Sequence, residues 1–381
     1  MKFIAKHGFE VFLFLSVLVL YSLSPGVKVM EDHANVQVGQ ALAVIEGQFN
    51  LLSTRYPDHV RAEDGALYNI FPPMPSFMLL PLVILFGEEL RLTLIMILVG
   101  SLNTIICYQI LRKVNPDSNV AKILAIAFAF GTVHWWISLK YEVWFMNQII
   151  AVFFSLLVLK EIFGDANPFY LGFFLGCSFL ARQATVFLGV FVLGYLFINR
   201  DRKTFLKSAL LIVLITGILG LIYPVLNYIK FGSLFDTGYR FLPVVWGRSM
   251  FSLSYLPYNL YTVLFMAPEV SPVFPYLNPG RGGQAVIFTS PFLVLALLSR
   301  LPVKTKMLAW SSVFFIAAPA IFYFNNGYAQ FGYRFLLDYL PLLMVLAATA
   351  VEKANKALIG VVALSVILNF VGAITLVPNI V

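Results

Sequence analysis

The stretch 331-FGYRFLLDYLPLLMVLAATAV-351 places an arginine and an aspartate at the mouth of an apolar run long enough to cross a membrane. A charge at the centre of a bilayer costs roughly 2.5–3.5 kcal/mol on insertion scales, so such residues are usually paired or functional. Arg334 and Asp338 have i,i+4 spacing, which predicts that the carboxylate orients the guanidinium on one helix face. A purely structural pair fits the same spacing. What Arg334 binds is therefore the first question that the sequence raises.

The whole chain has the composition of an integral membrane protein. Of its 381 residues, 60% are hydrophobic and 12% are charged, and the mean hydropathy is +0.87. Soluble domains carry a charge on about a quarter of their residues. Cys107 and Cys177 both lie in apolar runs, which argues against a disulfide framework or a thiolate metal site. The net charge of +8 suits basic cytoplasmic loops and an anionic partner, and it does not imply nucleic acid.

Apolar runs of about 20 residues predict about eleven transmembrane helices. The first run follows Lys2 and Lys6 without a small-residue cleavage site, so we expect an uncleaved anchor with a cytoplasmic N-terminus. The segment 70–87 is equally apolar, but its prolines disrupt helical hydrogen bonding, and we interpret it as re-entrant or interfacial. This assignment places the basic clusters on the cytoplasmic side and the C-terminus outside. The predicted spans are 9–25, 91–111, 120–138, 143–163, 166–181, 184–199, 206–229, 285–299, 306–324, 335–351 and 356–378.

Two long segments lie between these spans, on the predicted external side of a single transmembrane domain covering residues 1–381. They are the first loop segment, residues 26–90, and the second loop segment, residues 230–284. Both are rich in Tyr, Phe, Pro and Gly. Loops this long are usually functional or disordered, and we expect these two to fold over the external face as a cap. The predicted fold class is an all-α polytopic membrane protein.

An acidic pair, Glu31 and Asp32, follows the first predicted span. Apolar residues at helical spacing over 34–45 predict a short amphipathic helix on the membrane, with the acids at its N-terminal end. A carboxylate at this boundary can act as a general base on a hydroxyl, or simply cap the helix. Carboxylate-bound Mg or Mn is a further alternative. For His33 and His59, surface positions are favoured over metal ligation because no clear ligand set accompanies them.

Three arginines are unusual in position among the external cations. Arg182 lies in the break 180-LARQA-184 between two predicted spans, Arg334 begins a span, and Arg240 lies where the second loop segment leaves the membrane. Each could snorkel to lipid headgroups. Alternatively, the three converge on one bound phosphate, whose geometry the guanidinium matches. The aromatic run 134-HWWISLKYEVW-144 is typical of an interfacial belt.

Taken together, several segments resemble the GT-C superfamily of polytopic glycosyltransferases, especially the bacterial protein mannosyltransferase and aminoarabinose transferase families. Each match is weak alone, but they follow the family order over most of the chain. The matching segments are 31-EDHANVQVGQALAVIEG-47, 65-GALYNIFPPMPSFMLLP-81, 130-FGTVHWW-136, 178-SFLARQATVFL-188, 227-NYIKFGSLFDTGY-239, 251-FSLSYLPYNLYTVL-264, 289-TSP-291 and 331-FGYRFLLDYLP-341.

The resemblance implies that a sugar is transferred from a polyprenyl-phosphate donor to a hydroxyl acceptor on the external face, with inversion at the anomeric carbon. The base would be Asp32 or Glu31, and Asp32 is favoured. This sequence has Glu-Asp where many members have Asp-Glu, and Met74 where glycine is usual. The acceptor is a lipid, glycan or protein. The implied substrate-binding residues are Arg182, Arg334 and Arg240, together with Tyr68, Lys230 and Tyr239 from the matching segments.

The main alternative is a transporter or flippase of a lipid-linked anion. Transporters usually have internal repeats and ionisable or broken-helix sites near the bilayer midplane. The predicted spans are nearly free of charge at their middles, and no convincing repeat is present. This distribution favours interfacial catalysis, and a non-catalytic assembly subunit is the second alternative.

Overall fold

The structure is a computed structural model that describes residues 2–24, 27, 34–273, 276–280, 282–327 and 330–375. It is mostly helical, at 69%, so the predicted all-α class is confirmed. The α-helices are α1 (Lys2–Ser22), α2 (Val36–Ile45), α3 (Met74–Phe86), α4 (Leu92–Val114), α5 (Ser118–Phe130), α6 (His134–Ile137), α7 (Val143–Ile162), α8 (Pro168–Ala181), α9 (Leu188–Asn199), α10 (Arg202–Gly220), α11 (Ile222–Phe231), α12 (Leu256–Leu264), α13 (Val286–Thr289), α14 (Val303–Ile321), α15 (Leu340–Ala348) and α16 (Lys356–Thr375).

Short 3-10 helices and two small antiparallel pairs of strands complete the described part of the chain. Strand β1 (Val60–Arg61) pairs with β2 (Leu67–Tyr68), and β3 (Glu269–Val270) pairs with β4 (Leu277–Asn278). The 3-10 helices are Gly87–Glu89, Gln183–Phe187, Tyr239–Phe241, Pro243–Val245, Leu253–Tyr255, Pro291–Leu298 and Arg334–Asp338.

Side-chain caps define where several helices begin. The Asn35 side chain accepts a hydrogen bond from the Gln37 N–H at 2.9 Å and so starts α2. Asp201 accepts from the backbone N–H groups of Lys203 and Thr204, at 3.0 and 3.1 Å, and so starts α10. Such caps satisfy N–H groups that have no partner inside the helix.

Among the described residues, four helices are long and apolar enough to cross a membrane: Leu92–Val114, Val143–Ile162, Arg202–Phe231 and Lys356–Ala373. This is the architecture of a membrane protein, but the number is well below the predicted count of about eleven. That count is not supported. The predicted number came from the lengths of the apolar runs, and run length does not reveal where a helix breaks.

The breaks are visible within these apolar stretches. The spans predicted over 166–181 and 184–199 are separated at Arg182, as expected, where the backbone is extended, and this leaves α8 with 14 residues, about 21 Å long. The run 285–299 becomes a 3-10 helix from Pro291 onward. The run 335–351 opens with the 3-10 helix Arg334–Asp338 before α15 begins. Such helices are shorter than the hydrocarbon core of a bilayer, which is about 30 Å thick.

Helix α7 lies at the centre of the helical core. It packs against α3, α4, α8 and α15, and most of its side chains are buried. In contrast, α10 packs mainly against α8, and little of the apolar stretch Arg202–Phe231 is buried inside the protein. An apolar, exposed helix of this length suits a lipid environment. The site described below lies around α7 and not on the exposed helices.

Helix α2 differs from the expectation of an amphipathic helix lying on the membrane. Its residues Val36, Val38 and Ala41 are fully buried, because the first loop segment packs into the protein. Tyr68 of that segment stacks edge-on against Phe231, at 5.4 Å between ring centroids. The two loop segments therefore share a hydrophobic cluster.

The aromatic run around Trp135 and Trp136 is also more buried than an interfacial belt would be. These two side chains are only 7% and 1% exposed, and the Trp136 indole donates to the Phe331 carbonyl at 3.0 Å. The tryptophans therefore pack in the core beside the segment that precedes Arg334.

Candidate anion-binding site

Arg182 occupies the break between α8 and the 3-10 helix Gln183–Phe187. Its N–H donates to the Ser178 carbonyl at 2.8 Å, and its own carbonyl accepts from the Thr185 hydroxyl at 2.7 Å. The Ser178 hydroxyl in turn donates to the Thr185 hydroxyl at 2.7 Å. These buried hydroxyls satisfy backbone groups that the helix break frees, and they fix where the Arg182 side chain leaves the chain.

The Arg182 guanidinium forms a two-point ion pair with Asp338. Nε donates to Oδ1 at 3.1 Å and Nη2 donates to Oδ2 at 2.5 Å. The Asp338 side chain is 3% exposed and that of Arg182 is 24% exposed. Burial alone would lower the pKa of Arg182, but the charge and hydrogen bonds of Asp338 outweigh it, so that the pKa is raised. This is a partly desolvated, charge-assisted pair.

The expected pairing of Asp338 with Arg334 is therefore not the one that forms. Residues 334–338 adopt a 3-10 helix with three residues per turn, so positions i and i+4 do not share a face as they would in an α-helix. Asp338 is left to pair with Arg182, which is distant in sequence.

Arg334 is buried, at 6% exposure, and is held by neutral partners. Its Nε donates to the Gly327 carbonyl at 3.1 Å and its Nη1 donates to Gln148 Oε1 at 3.3 Å. No carboxylate of the described residues lies within ion-pair distance of it. Burial, and next the positive charge of Arg182, lower the pKa of Arg334 to about 10. The group is still charged at neutral pH, and its charge is not neutralised by a direct partner.

The ring of Phe335 brings the two guanidinium groups together. The Arg182 Cζ lies 5.2 Å from the ring centroid and the Arg334 Cζ lies 4.7 Å from the same centroid. A second ring, Phe145 of α7, lies 5.6 Å from the Arg334 Cζ. Cation–π contacts hold arginine side chains without consuming their hydrogen-bond donors.

Three tyrosines from separate segments feel the charge of both arginines. Burial raises the pKa of Tyr239, Tyr323 and Tyr333, and the nearby positive charges of Arg182 and Arg334 reduce the increase. The Tyr333 side chain is 2% exposed, and its hydroxyl has no hydrogen-bond partner among the described residues. A buried hydroxyl is normally hydrogen-bonded, so an O–H donor without a partner among the described residues is unusual here. The Tyr333 ring lies 5.6 Å from that of Phe335, which contacts both arginines.

The arrangement has the chemistry of an anion-binding site. It offers guanidinium donors, a phenol that has no hydrogen-bond partner among the described residues, and a largely buried environment, in which electrostatic attraction is stronger than in bulk water. Guanidinium geometry matches the oxygens of phosphate. The predicted convergence of Arg182 and Arg334 is thus present as geometry, while the ligand they bind stays a prediction.

Arg240 has different partners. Its Nε donates to Asp236 at 2.7 Å and its Nη1 to Glu63 at 2.6 Å, and its side chain is 54% exposed. It therefore forms ion pairs with two carboxylates, Asp236 and Glu63. The structure therefore does not bring Arg240 into the arginine pair, although its neighbour Tyr239 lies there.

Lys230 lines a separate small cleft between the two loop segments, and Tyr68 packs against Phe231, which lines the same cleft. The Lys230 Nζ donates to the Asn69 carbonyl at 2.7 Å, and the Tyr68 hydroxyl donates to Asp64 at 3.0 Å. Tyr223 also lines this cleft. Because Gln183 donates a hydrogen bond to Tyr223, the cleft adjoins the segment that carries Arg182.

The predicted catalytic acids Glu31 and Asp32 lie outside the described residues, as does His33. His59 is described, and its Nδ1 lies 2.7 Å from the Tyr56 carbonyl. Within the described ranges, no group of three or more His, Cys, Asp or Glu side chains forms a metal site.

Sequence reasoning missed Gln148, Phe335 and Tyr333. A usable signal existed for Gln148, since 147-NQ-148 places two amides inside an otherwise apolar helix, where polar groups need partners. Phe335 and Tyr333 flank Arg334 in sequence. Because 16% of all residues in the chain are aromatic, an aromatic residue at a given position gives no signal of its own.

Comparisons with known proteins do not identify the chain: no protein-family model matches it, and no curated protein or solved structure is significantly similar.

Proposed function

We propose that this protein is a membrane glycosyltransferase that moves a sugar from a polyprenyl-phosphate donor to a hydroxyl acceptor. The observation that supports this most is the pair of Arg182 and Arg334 on the ring of Phe335, whose centroid lies 5.6 Å from that of the Tyr333 ring. A buried cationic site in a membrane protein suits an anionic headgroup attached to an apolar chain.

In the proposed reaction the arginine pair holds the donor phosphate. As the bond between the anomeric carbon and the phosphate oxygen breaks, the phosphate gains negative charge, and fixed cations stabilise it. Asp32 or Glu31 accepts the proton of the acceptor hydroxyl. Direct displacement then inverts the anomeric centre. A divalent cation, Mg or Mn, on these acids is a variant of the same scheme.

The proposed setting is the cell membrane, with a cytoplasmic N-terminus and the reaction on the external side. The first and second loop segments then act as the cap over the site, and the shorter apolar helices complete the GT-C-like membrane domain. The acceptor is a lipid, glycan or protein, and nucleic acid has no role.

The direct test is transfer by the purified chain in liposomes, with a radiolabelled polyprenyl-phosphate sugar and membrane extract as acceptor. We expect label to appear in a new glycoside of inverted configuration. Movement of intact donor across the bilayer without any new glycosidic bond would identify the transporter alternative instead. If neither a new glycoside nor movement of the donor is detected, the proposal is wrong.

A further inference from the structure

We infer that Asp338 sets the charge selectivity of the arginine pair. This inference rests on the proposed donor site. It lowers the affinity for a doubly charged phosphomonoester relative to a singly charged phosphodiester. The donor of the proposed reaction is a phosphodiester and the released carrier is a phosphomonoester. Asp338 is therefore a specificity-determining residue that favours the donor over the released carrier and so promotes product release.

The charges around Phe335 support this inference. Two guanidinium groups and one carboxylate leave one net positive charge among Arg182, Arg334 and Asp338. A phosphodiester with one negative charge balances this cluster. A phosphomonoester, which carries about two charges above its second pKa near 6, leaves an uncompensated negative charge in a poorly solvated place.

The position of Asp338 makes the effect strong. Its side chain is 3% exposed, so water screens it little, and it occupies both donors of one edge of Arg182. Tyr333, whose ring centroid lies 5.6 Å from that of Phe335 and whose hydroxyl has no hydrogen-bond partner among the described residues, lies close enough to Asp338 to feel its charge. A fixed negative charge repels a dianion about twice as strongly as a monoanion at the same position.

The proposed step balances in atoms and charge. The bond between the anomeric carbon and the phosphate oxygen breaks, and its electron pair stays on that oxygen. The acceptor oxygen forms the new bond, and its proton passes to Asp32 or Glu31. The phosphate thus changes from a monoanion to a dianion while it is bound, and Asp338 disfavours the second form.

The experiment measures the dissociation constants of two lipids for the full chain in nanodiscs at pH 8. One lipid is a prenyl phosphomonoester and the other is its methyl phosphodiester, with the same prenyl chain. For Asp338→Asn we expect the ratio of monoester to diester dissociation constants to fall at least about tenfold. Asp338→Glu should keep the wild-type ratio. Glu63→Gln, which removes the same charge from the surface pair with Arg240, is the matched control and should not change it.

An unchanged ratio in Asp338→Asn, with both lipids weakened equally, would overturn the inference and leave Asp338 a structural partner of Arg182. The proposed donor site would still stand, because both lipids bind. If neither lipid binds to the wild type, the donor site and the inference fall together.

A second measurement needs no variant. Lowering the pH from 8 to 5.5 converts most of the monoester to a monoanion, and its binding to the wild type should tighten several-fold relative to the diester. The diester does not titrate in this range, so it reports any change in the protein. If the monoester, compared with the diester, binds more tightly at pH 8 than at pH 5.5, the inference is overturned. The charged or titratable groups of the described residues that face the site are Arg182, Arg334, Asp338, Tyr223, Tyr239, Tyr323 and Tyr333.

Discussion

Gln148 and Arg334 hold each other through two hydrogen bonds. The Gln148 Nε2 donates to the Arg334 carbonyl at 3.0 Å, and the Arg334 Nη1 donates to Gln148 Oε1 at 3.3 Å. Gln148 belongs to the buried helix α7, so the backbone and the side chain of Arg334 are both attached to the core of the bundle. Anchoring of this kind fixes a charged group before a ligand arrives, which is what electrostatic preorganisation requires.

Removing this anchor should weaken donor binding more than the chemical step. We expect Gln148→Ala to raise the KM for the donor about tenfold, since Arg334 loses its fixed orientation, and to destabilise the fold by about 1–3 kcal/mol. Steady-state kinetics with varied donor measure the first effect and thermal unfolding measures the second. Asn199→Ala removes an exposed amide that donates to the Tyr195 carbonyl at 2.8 Å, and it serves as control. An unchanged donor KM in Gln148→Ala would contradict the anchoring role.

Tyr333→Phe should separate binding from stability. Its hydroxyl has no partner in the described structure, so removing it should leave the melting temperature unchanged or higher. Donor affinity should nevertheless fall about five- to tenfold if that hydroxyl donates to the bound phosphate. Tyr21→Phe is the contrast, because the Tyr21 hydroxyl donates to the Ala129 carbonyl at 2.7 Å and its loss should lower the melting temperature. Equal donor affinity in Tyr333→Phe and the wild type would remove Tyr333 from the site.

The long helices were predictable from the sequence because their apolar runs are continuous. The predicted spans 91–111 and 143–163 correspond closely to Leu92–Val114 and Val143–Ile162. The break at Arg182 was predictable, because a charged residue interrupts the apolar run there. The 3-10 turns Pro291–Leu298 and Arg334–Asp338 were not, because average hydropathy does not distinguish a 3-10 turn from an α-helix.

The arginines of the site were predictable because a charge beside an apolar run has to be held by something. Their partners were not. The pairing of Asp338 with Arg182 depends on a 3-10 turn and on a contact between distant segments, and local spacing favoured Arg334 instead. Arg240 shows the converse case, since its position suggested phosphate binding but Glu63 and Asp236 occupy its donors.

Arg334 and Arg240 should therefore respond differently to the same substitution. We expect Arg334→Ala to raise the donor KM at least about tenfold and to change the acceptor KM much less, because a buried charge is lost from the phosphate site. Arg240→Ala should change both values less than about twofold, since exposed ion pairs contribute little. The measurement is two-substrate kinetics in liposomes. Loss of acceptor affinity, rather than donor affinity, in Arg334→Ala would place this residue elsewhere in the mechanism.

The predicted base can be tested separately from donor binding. Asp32→Asn should abolish transfer while it leaves expression, membrane insertion and donor affinity intact, because only the proton acceptor is removed. Glu31→Gln tests the alternative assignment by the same assays. If both variants keep near-wild-type activity, the acidic pair is not the base.

The central claim is that Arg182 and Arg334 together bind a lipid phosphate. Native mass spectrometry of the chain in nanodiscs, titrated with a prenyl phosphate and with the matching uncharged prenol, tests it most directly. We predict that the wild type and Arg240→Gln retain the phosphate lipid in preference to the prenol, and that Arg182→Gln/Arg334→Gln loses this preference. A double variant that stays folded and retains the phosphate lipid as well as the wild type does would contradict the claim.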